Sequence, residues 1–355
     1  MNPVILWWGR FDPNYSRNRI LRNLLSKNGI TIRDFRPRSS LFGSVEAALF
    51  DPGPADCIWV PCFRHRDLRS ARRYADRKRL KLVFDPLISS WDKVVFERGK
   101  YPAGHRTAKR LLNWERSLYR SADIVVADTE AHRRFYRDLL GSPADTTYVI
   151  PVGAEEPLFS FQPPHPLSRP AEILFFGSFI SLQGVEVIVD AARLVPQARW
   201  TLLGNGPLRS DCELRGKGLV NLQFEDWIDY ESLPERIGKA DIVLGIFGDS
   251  EKAGRVIPNK VFQALACGRP VVTRHATAYP AGLVDDRAGL HFVPPADAMA
   301  LACCIEGLLC EAGSFVECQH QARKIYDEHF SEPHIDARLK VVLAALGLLP
   351  SPSSS

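Results

Sequence analysis

The chain has 355 residues, beyond the size that one hydrophobic core usually serves, so two domains are expected. Its 45% hydrophobic and 25% charged residues are typical of a globular chain and exclude a disordered or fibrous one. The net charge of +5 is uneven: residues 1–160 carry 28 Lys and Arg against 18 Asp and Glu, which marks that half as the docking side for an anion.

Short apolar runs in the first half predict strands at 4–8, 57–60, 80–84, 124–127 and 147–150. Amphipathic stretches between them predict helices at 17–27, 67–79, 107–120 and 130–140. The Pro-rich stretch 156–170 interrupts this rhythm and reads as an interdomain linker. Strands are then expected at 173–176, 200–203, 220–224, 242–247, 270–273 and 290–293, with helices at 185–194, 233–240, 258–267, 297–310 and 315–329. One more apolar helix is expected at 334–349, followed by a disordered Ser- and Pro-rich tail at 350–355. Strands alternating with helices predict parallel sheets covered on both faces. The expected class is α/β, with two doubly wound Rossmann-like domains facing across a cleft. An N-terminal domain spans 1–160, a C-terminal domain spans 161–332, and a terminal helix at 333–349 returns to the first. No stretch approaches the roughly twenty apolar residues of a membrane span, and the run at 4–8 is too short for a signal peptide. The eight cysteines form no C-x-x-C pair or zinc spacing, so free thiols in a cytoplasmic protein are expected.

The first strand leads into Gly9-Arg-Phe-Asp-Pro-Asn-Tyr-Ser-Arg-Asn18. It lacks the Gly-x-Gly-x-x-Gly turn of a dinucleotide site, which argues against a nicotinamide dehydrogenase. Arg10, Tyr15, Ser16, Arg17 and Asn18 either line a ligand site, as contacts to an acceptor or to a donor phosphate, or form a solvated loop and a helix start. Asp85 ends a buried strand before Pro86, where a carboxylate either orients or deprotonates an acceptor hydroxyl, or caps a turn. His105, the nearest histidine in sequence, is either an acceptor contact or a surface residue. Asp128 or Thr129 is expected to cap the helix that follows. Arg66, Arg69, Arg73 and Arg77 share one helix face, read either as solvated or as a contact with anionic lipid headgroups or a phosphate-bearing acceptor. No nucleic-acid module accompanies them, so nucleic acid is not an expected partner.

The stretch from Phe247 to Thr273 holds the most chemistry. Glu251, Lys252, Arg255 and Lys260 crowd the start of a helix for which Pro258 is suited to the first turn and Gly268 to the stop. Cations normally favour the other end of a helix, so their placement here implies an anion such as a diphosphate. Asn259 and Gln263 are four residues apart on one face. The run Gln263-Ala-Leu-Ala-Cys-Gly-Arg-Pro-Val-Val resembles the donor-binding signature of the glycosyltransferase family 4 type, retaining sugar-nucleotide enzymes of GT-B fold. That signature has a Glu, seven residues and a second Glu; here Arg255 and Gln263 occupy the two positions. Pro258-Asn259-Lys260 matches a Pro-x-Lys variant of it. The segment from Phe176 to Glu186 and the Gly204-Asn-Gly206 turn also resemble family elements, the former with Ser178 and Gln183 where many members carry Arg and Lys.

The resemblance implies a retaining transferase that moves a sugar from a nucleoside-diphosphate sugar (UDP first, GDP second) to a hydroxyl on a glycan, glycolipid or small molecule. It implies no cofactor and no metal. Donor contacts would come from Gly177, Ser178, Gly204, Glu251, Pro258, Asn259, Lys260 and Gln263. Lys252, then Arg255, would stabilise the leaving diphosphate, with Asp85 acting on the acceptor. A role in cell-surface polysaccharide or glycolipid synthesis follows, peripheral on the inner face of the cytoplasmic membrane. The alternatives are a sugar-nucleotide-binding homologue without turnover and a GT-B epimerase.

Overall fold

The computed structural model describes residues 2–283 and 288–349; the tail at 350–355, expected to be disordered, lies outside them. Two compact units emerge. Residues up to Val152 and those from Glu332 onward make the first, and Gly153–Ser331 make the second.

The first unit holds β1 (Val4–Trp8), β2 (Thr31–Phe35), β3 (Cys57–Val60), β4 (Lys81–Phe84), β5 (Ile124–Ala127) and β6 (Thr147–Val149). All pairings are parallel, in the order β2-β1-β3-β4-β5-β6. The helices are α1 (Ser16–Lys27), α2 (Gly43–Phe50), α3 (Leu68–Lys78), the single turn α4 (Ser90–Asp92), α5 (Arg106–Tyr119) and α6 (Glu130–Phe135). Successive β1 side chains serve opposite faces, as strand geometry requires. Ile5 and Trp7 join a core with Leu21 and Leu25, while Leu6 and Trp8 join another with Leu68 and Leu118. The edge strand β2 escapes sequence reading because Thr-Ile-Arg-Asp-Phe is partly exposed and has one neighbour, so no continuous apolar run is needed. The stretch 130–140, expected as one helix, is α-helical to Phe135 and widens into a π turn over Tyr136–Leu140.

The second unit holds β7 (Glu172–Phe176), β8 (Arg199–Leu203), β9 (Leu222–Glu225), β10 (Ile242–Leu244), β11 (Val271–Arg274) and β12 (Leu290–Val293), all parallel in the order β12-β11-β10-β7-β8-β9. Its helices are α7 (Val185–Leu194), α8 (Arg209–Arg215), α9 (Leu233–Gly238), α10 (Asn259–Ala266), α11 (Ala298–Cys310) and α12 (Phe315–His329). Its strand order reverses between β7 and β10, and ligands in such sheets bind beyond the carboxyl ends of strands at that switch. The stretch 156–170 is no free linker: it is fastened to this unit. Phe159 is fully buried with its ring edge-on to Tyr230 at 5.5 Å, Arg269 Nη2 donates to the Pro163 carbonyl at 2.9 Å, and the His165 N–H donates to Gln319 Oε1 at 3.2 Å.

The last helix, α13 (Glu332–Leu346), completes the first unit. Ile335, Leu339, Val342 and Leu343 are fully buried in the core that contains Ile5 and Trp7, and Lys27 pairs with Glu332 at 2.5 Å. Leu339→Ala should therefore cost about 2–5 kcal/mol in denaturant unfolding, the usual range for a buried leucine. A loss below about 1 kcal/mol would mean that α13 is not part of this core.

Candidate active site

In the second unit, three loops converge at the switch point. The loop after β7 begins at Gly177, whose N–H donates to the Leu203 carbonyl at 2.9 Å, and Phe179 N–H donates to Asn205 O at 3.0 Å. Gly204 sits at φ +133, and a Cβ there would lie 2.1 Å from the Gly177 carbonyl oxygen, so the β7 and β8 loops meet backbone to backbone. Gly184 (φ +63) does the same against the loop after β10, where a Cβ would lie 2.6 Å from Gly248 N. Ile246, Ala253 and Leu182 form a small buried cluster, with Ile180 and Val256 against it. This cluster holds the Lys252 loop to the β7 loop.

Lys260, in the first turn of α10, reaches into this glycine-lined place. Its Nζ donates to Gln183 Oε1 at 2.7 Å and lies 3.6 Å from the centre of the Phe175 ring. A Cβ on Gly177 would come within 2.8 Å of that Nζ. Among the described residues no carboxylate pairs with Lys260, and burial pushes its pKa well below the usual lysine range. The Phe175 ring face offsets part of that cost. The ammonium thus occupies the side of the loop that carries Gln183.

The other expected donor residues separate into groups. Gln263 is buried, and its Nε2 donates to Tyr230 Oη at 3.3 Å; Tyr230 in turn donates to Glu155 Oε1 at 2.9 Å. Sequence reading missed Tyr230, Glu155 and the Gln183 contact, because only folding brings them to these partners. Arg255 Nη1 pairs with Glu251 Oε2 at 3.1 Å, so the two residues expected to serve diphosphate and sugar separately hold each other. Lys252 is buried in the same turn, which the Arg255 N–H closes on the Lys252 carbonyl at 3.0 Å. Ser178 is exposed, and Asn259 is half-buried. Pro258 sits one position earlier than expected, as the extended residue before α10 (φ −72, ψ 148), and Gly268 ends the helix at φ +72.

In the first unit, Asp85 and Arg17 do not stand open. Arg17 Nε donates to both Asp85 oxygens at 3.0 and 2.9 Å, and its Nη1 donates to the Ile150 carbonyl at 3.0 Å. Both side chains are fully buried. Burial works against the Arg17 charge, yet Asp85 outweighs it and holds the guanidinium above its ordinary pKa. Asp85, expected as acceptor base, and Arg17, expected as acceptor contact, are thus paired with each other in this structure rather than open to solvent. Asn18 is also internal, donating to Asp12 O at 2.7 Å and accepting from Cys62 Sγ at 3.3 Å. Ser16 is the first residue of α1. Arg10 is exposed with Nη2 on Ser40 Oγ at 3.2 Å, and Tyr15 lies edge-on to Phe63 at 4.9 Å. His105 stacks on Tyr101 at 4.7 Å and caps α5 by accepting from Thr107 N–H, the surface role. Thr129 caps α6 by accepting from His132 N–H at 3.0 Å, while Asp128 meets His132 Nδ1. The His132 ring stacks on Tyr136 and its Nε2 is buried without a hydrogen-bond partner among the described residues, a feature that sequence reading missed. Among the described residues, no three His, Cys, Asp or Glu side chains gather as a metal site.

Two sequence families match the chain. "Glycosyl transferase 4-like domain" covers residues 26–153, and "Glycosyl transferases group 1" covers 170–311. A curated relative, the amylovoran biosynthesis glycosyltransferase AmsK of Erwinia amylovora, is 26% identical over 178 residues, 46% of this chain and 42% of that protein. The matched part is thus less than half of that relative. Among solved structures, sucrose-phosphate synthase of Thermosynechococcus elongatus has TM-score 0.74 at 20% identity, covering 98% of this chain and 99% of the other. Anabaena HepE in complex with UDP has TM-score 0.70 at 16% identity, covering 97% and 100%; HepE is also solved with UDP-glucose. These likenesses establish the two-domain GT-B fold.

Arg17→Ala leaves the Asp85 carboxylate buried and alone, and should cost roughly 3–5 kcal/mol in denaturant unfolding. Arg17→Met combined with Asp85→Leu should recover most of that loss. A single variant as stable as the parent would contradict the buried pair.

Proposed function

Because the chain belongs to the family 4-like glycosyltransferases of GT-B fold, we propose that it moves a sugar from a nucleoside-diphosphate sugar to a hydroxyl acceptor with retention at the anomeric carbon. The observation that carries the donor half is the Lys260 ammonium, buried beside Gly177 and, among the described residues, without a carboxylate partner. A diphosphate is the ligand class that such a cation lacks. The solved neighbours holding UDP and UDP-glucose support a uridine donor ahead of a guanosine one.

In this reading the bond from the anomeric carbon to the diphosphate breaks as the acceptor oxygen bonds to the same face. The acceptor proton passes to the leaving phosphate oxygen, so no protein nucleophile is needed. Lys260 binds the diphosphate, Lys252 stabilises the charge that develops on it, and Arg255 assists once released from Glu251. Gln263 binds the ribose through its amide, held in place by Tyr230. The neutral Gln263 also supports a second reading, a homologue that binds donor without turnover. That the described residues contain no disulfide supports a reducing, cytoplasmic setting, and exposed Arg66, Arg69, Arg73 and Arg77 support an anionic membrane as docking surface. The AmsK likeness supports a role in surface polysaccharide synthesis.

Lys252→Ala should lower sugar transfer by about two to three orders of magnitude, the range for losing a charge-stabilising donor, while UDP still raises the melting temperature. Transfer at near-parental rate would remove Lys252 from the mechanism, and UDP binding with no transfer to any acceptor in the parent would favour the second reading. The depressed Lys260 pKa adds a pH effect. Between that lowered value and the ordinary lysine range the unfolded chain binds the extra proton, so stability of the free protein rises with pH there. Lys260→Met should flatten that part of the profile; an unchanged profile would contradict the depressed pKa.

A further inference from the structure

A cavity of about 810 Å³ is lined by residues of the first unit. Its apolar wall is Leu41, Phe63, Val94, Leu111 and Trp114, and among the described residues no Asp or Glu lines it. Arginines supply its charge. Arg64 is already committed to Asp67. Arg66 and Arg69 are exposed, and among the described residues neither has a carboxylate partner; Arg69 bonds only Ser117 Oγ, at 3.1 Å. His65 adds no charge at neutral pH, since burial lowers its pKa to about 4. Phe63 holds a left-handed backbone (φ +64), a costly conformation for a non-glycine residue, with its ring against Tyr15.

The rim of this cavity continues into an apolar surface. Leu41 leads into α2, where Phe42, Val45 and Leu49 follow helical spacing on one outward stripe. Phe42 is 58%, Leu49 73% and Phe50 72% exposed. This helix is firmly placed: Gly43 packs so closely on α3 that a Cβ would lie 2.9 Å from Ser70 Oγ, and Glu46 accepts from Arg38 and Ser39 N–H groups at 2.7 and 3.0 Å. The neighbouring α3 carries Arg73 and Arg77, both exposed and, among the described residues, without carboxylate partners. A rigid apolar stripe beside unpaired arginines matches a bilayer whose surface is anionic, and no single helix among the described residues is long and apolar enough to cross one.

We propose that this cavity is the acceptor subsite for a lipid carrying a phosphate or diphosphate, taken from a membrane on which α2 lies. The apolar wall receives the first part of the chain, Arg66 and Arg69 hold the phosphate, and the exposed face of α2 enters the headgroup region. The acceptor role rests on the glycosyltransferase reading above.

The test uses the full chain with three kinds of vesicle: phosphatidylcholine alone, phosphatidylcholine with phosphatidylglycerol, and phosphatidylcholine with farnesyl phosphate at matched surface charge. The parent should be retained on both anionic vesicles, several-fold more strongly on farnesyl phosphate. Arg66→Ser with Arg69→Ser should lower binding about tenfold or more, from about 1 kcal/mol per basic residue, and abolish the preference. Leu49→Ser with Phe50→Ser should weaken both kinds of binding alike. Equal retention on the two anionic vesicles would overturn the cavity assignment, and no retention would overturn the proposal entirely. Light scattering covers the other occupant: variants that alter self-association but not vesicle binding would make the α2 face a protein interface. A UDP-induced melting shift, measured on every variant, reports folding and the donor site. Its presence without vesicle binding sinks this proposal alone, and its absence in the parent sinks the donor reading.

Discussion

A buried lysine with no carboxylate partner among the described residues is the constraint on which the second unit turns. Desolvation of the Lys260 ammonium opposes folding, and among the described residues a glutamine oxygen and the rings of Phe175 and Phe176 compensate it in part. Around it the glycines are there for space. Gly177 leaves room for Nζ, and Gly204 lets the β8 loop close on the β7 loop. The strand-order reversal between β7 and β10 brings these loops and the start of α10 to one end of the sheet. Residue, loop and topology therefore specify the same place for negative charge.

The first unit treats buried charge in the opposite way. Arg17 and Asp85 satisfy each other, with the Ile150 carbonyl taking a further donor. The pair ties the residue after β4 to the residue after β6, and Arg17 Nη2 stays buried without a hydrogen-bond partner among the described residues. At the surface of this unit Arg66 and Arg69 adjoin an apolar cavity. The interior cation of one unit and the rim cations of the other suit two different phosphate chemistries, one water-borne and one lipid-borne.

Among the described residues eleven of the twelve strands were legible, eight of them central parallel strands with apolar residues on both faces. The edge strand β2 was not, since alternation with exposed Thr31 and Asp34 resembles a loop. Helix α2 was hidden for a related reason: Leu49 and Phe50 face outward, so the sequence shows no amphipathic period. The cation cluster at the start of α10 could be read from charge placed at the wrong helix end. Which cation matters could not. Sequence rank put Lys252 first, whereas the Gln183–Lys260 contact joins residues 77 apart and exists only in the fold. Likewise, Asp85 read as a free carboxylate because its partner Arg17 lies 68 residues earlier. Spacing along the chain reveals which groups are present, and packing decides which are already paired.

The central claim is that Lys260 is a charge site built for a diphosphate. Nuclear magnetic resonance of labelled lysine side chains, with the Lys260 signal assigned by its loss in Lys260→Arg, tests it most directly. The account predicts a signal that titrates well below the ordinary lysine range in the free protein and returns toward that range when UDP is bound. A Lys260 signal that titrates like a surface lysine and ignores saturating UDP would contradict it.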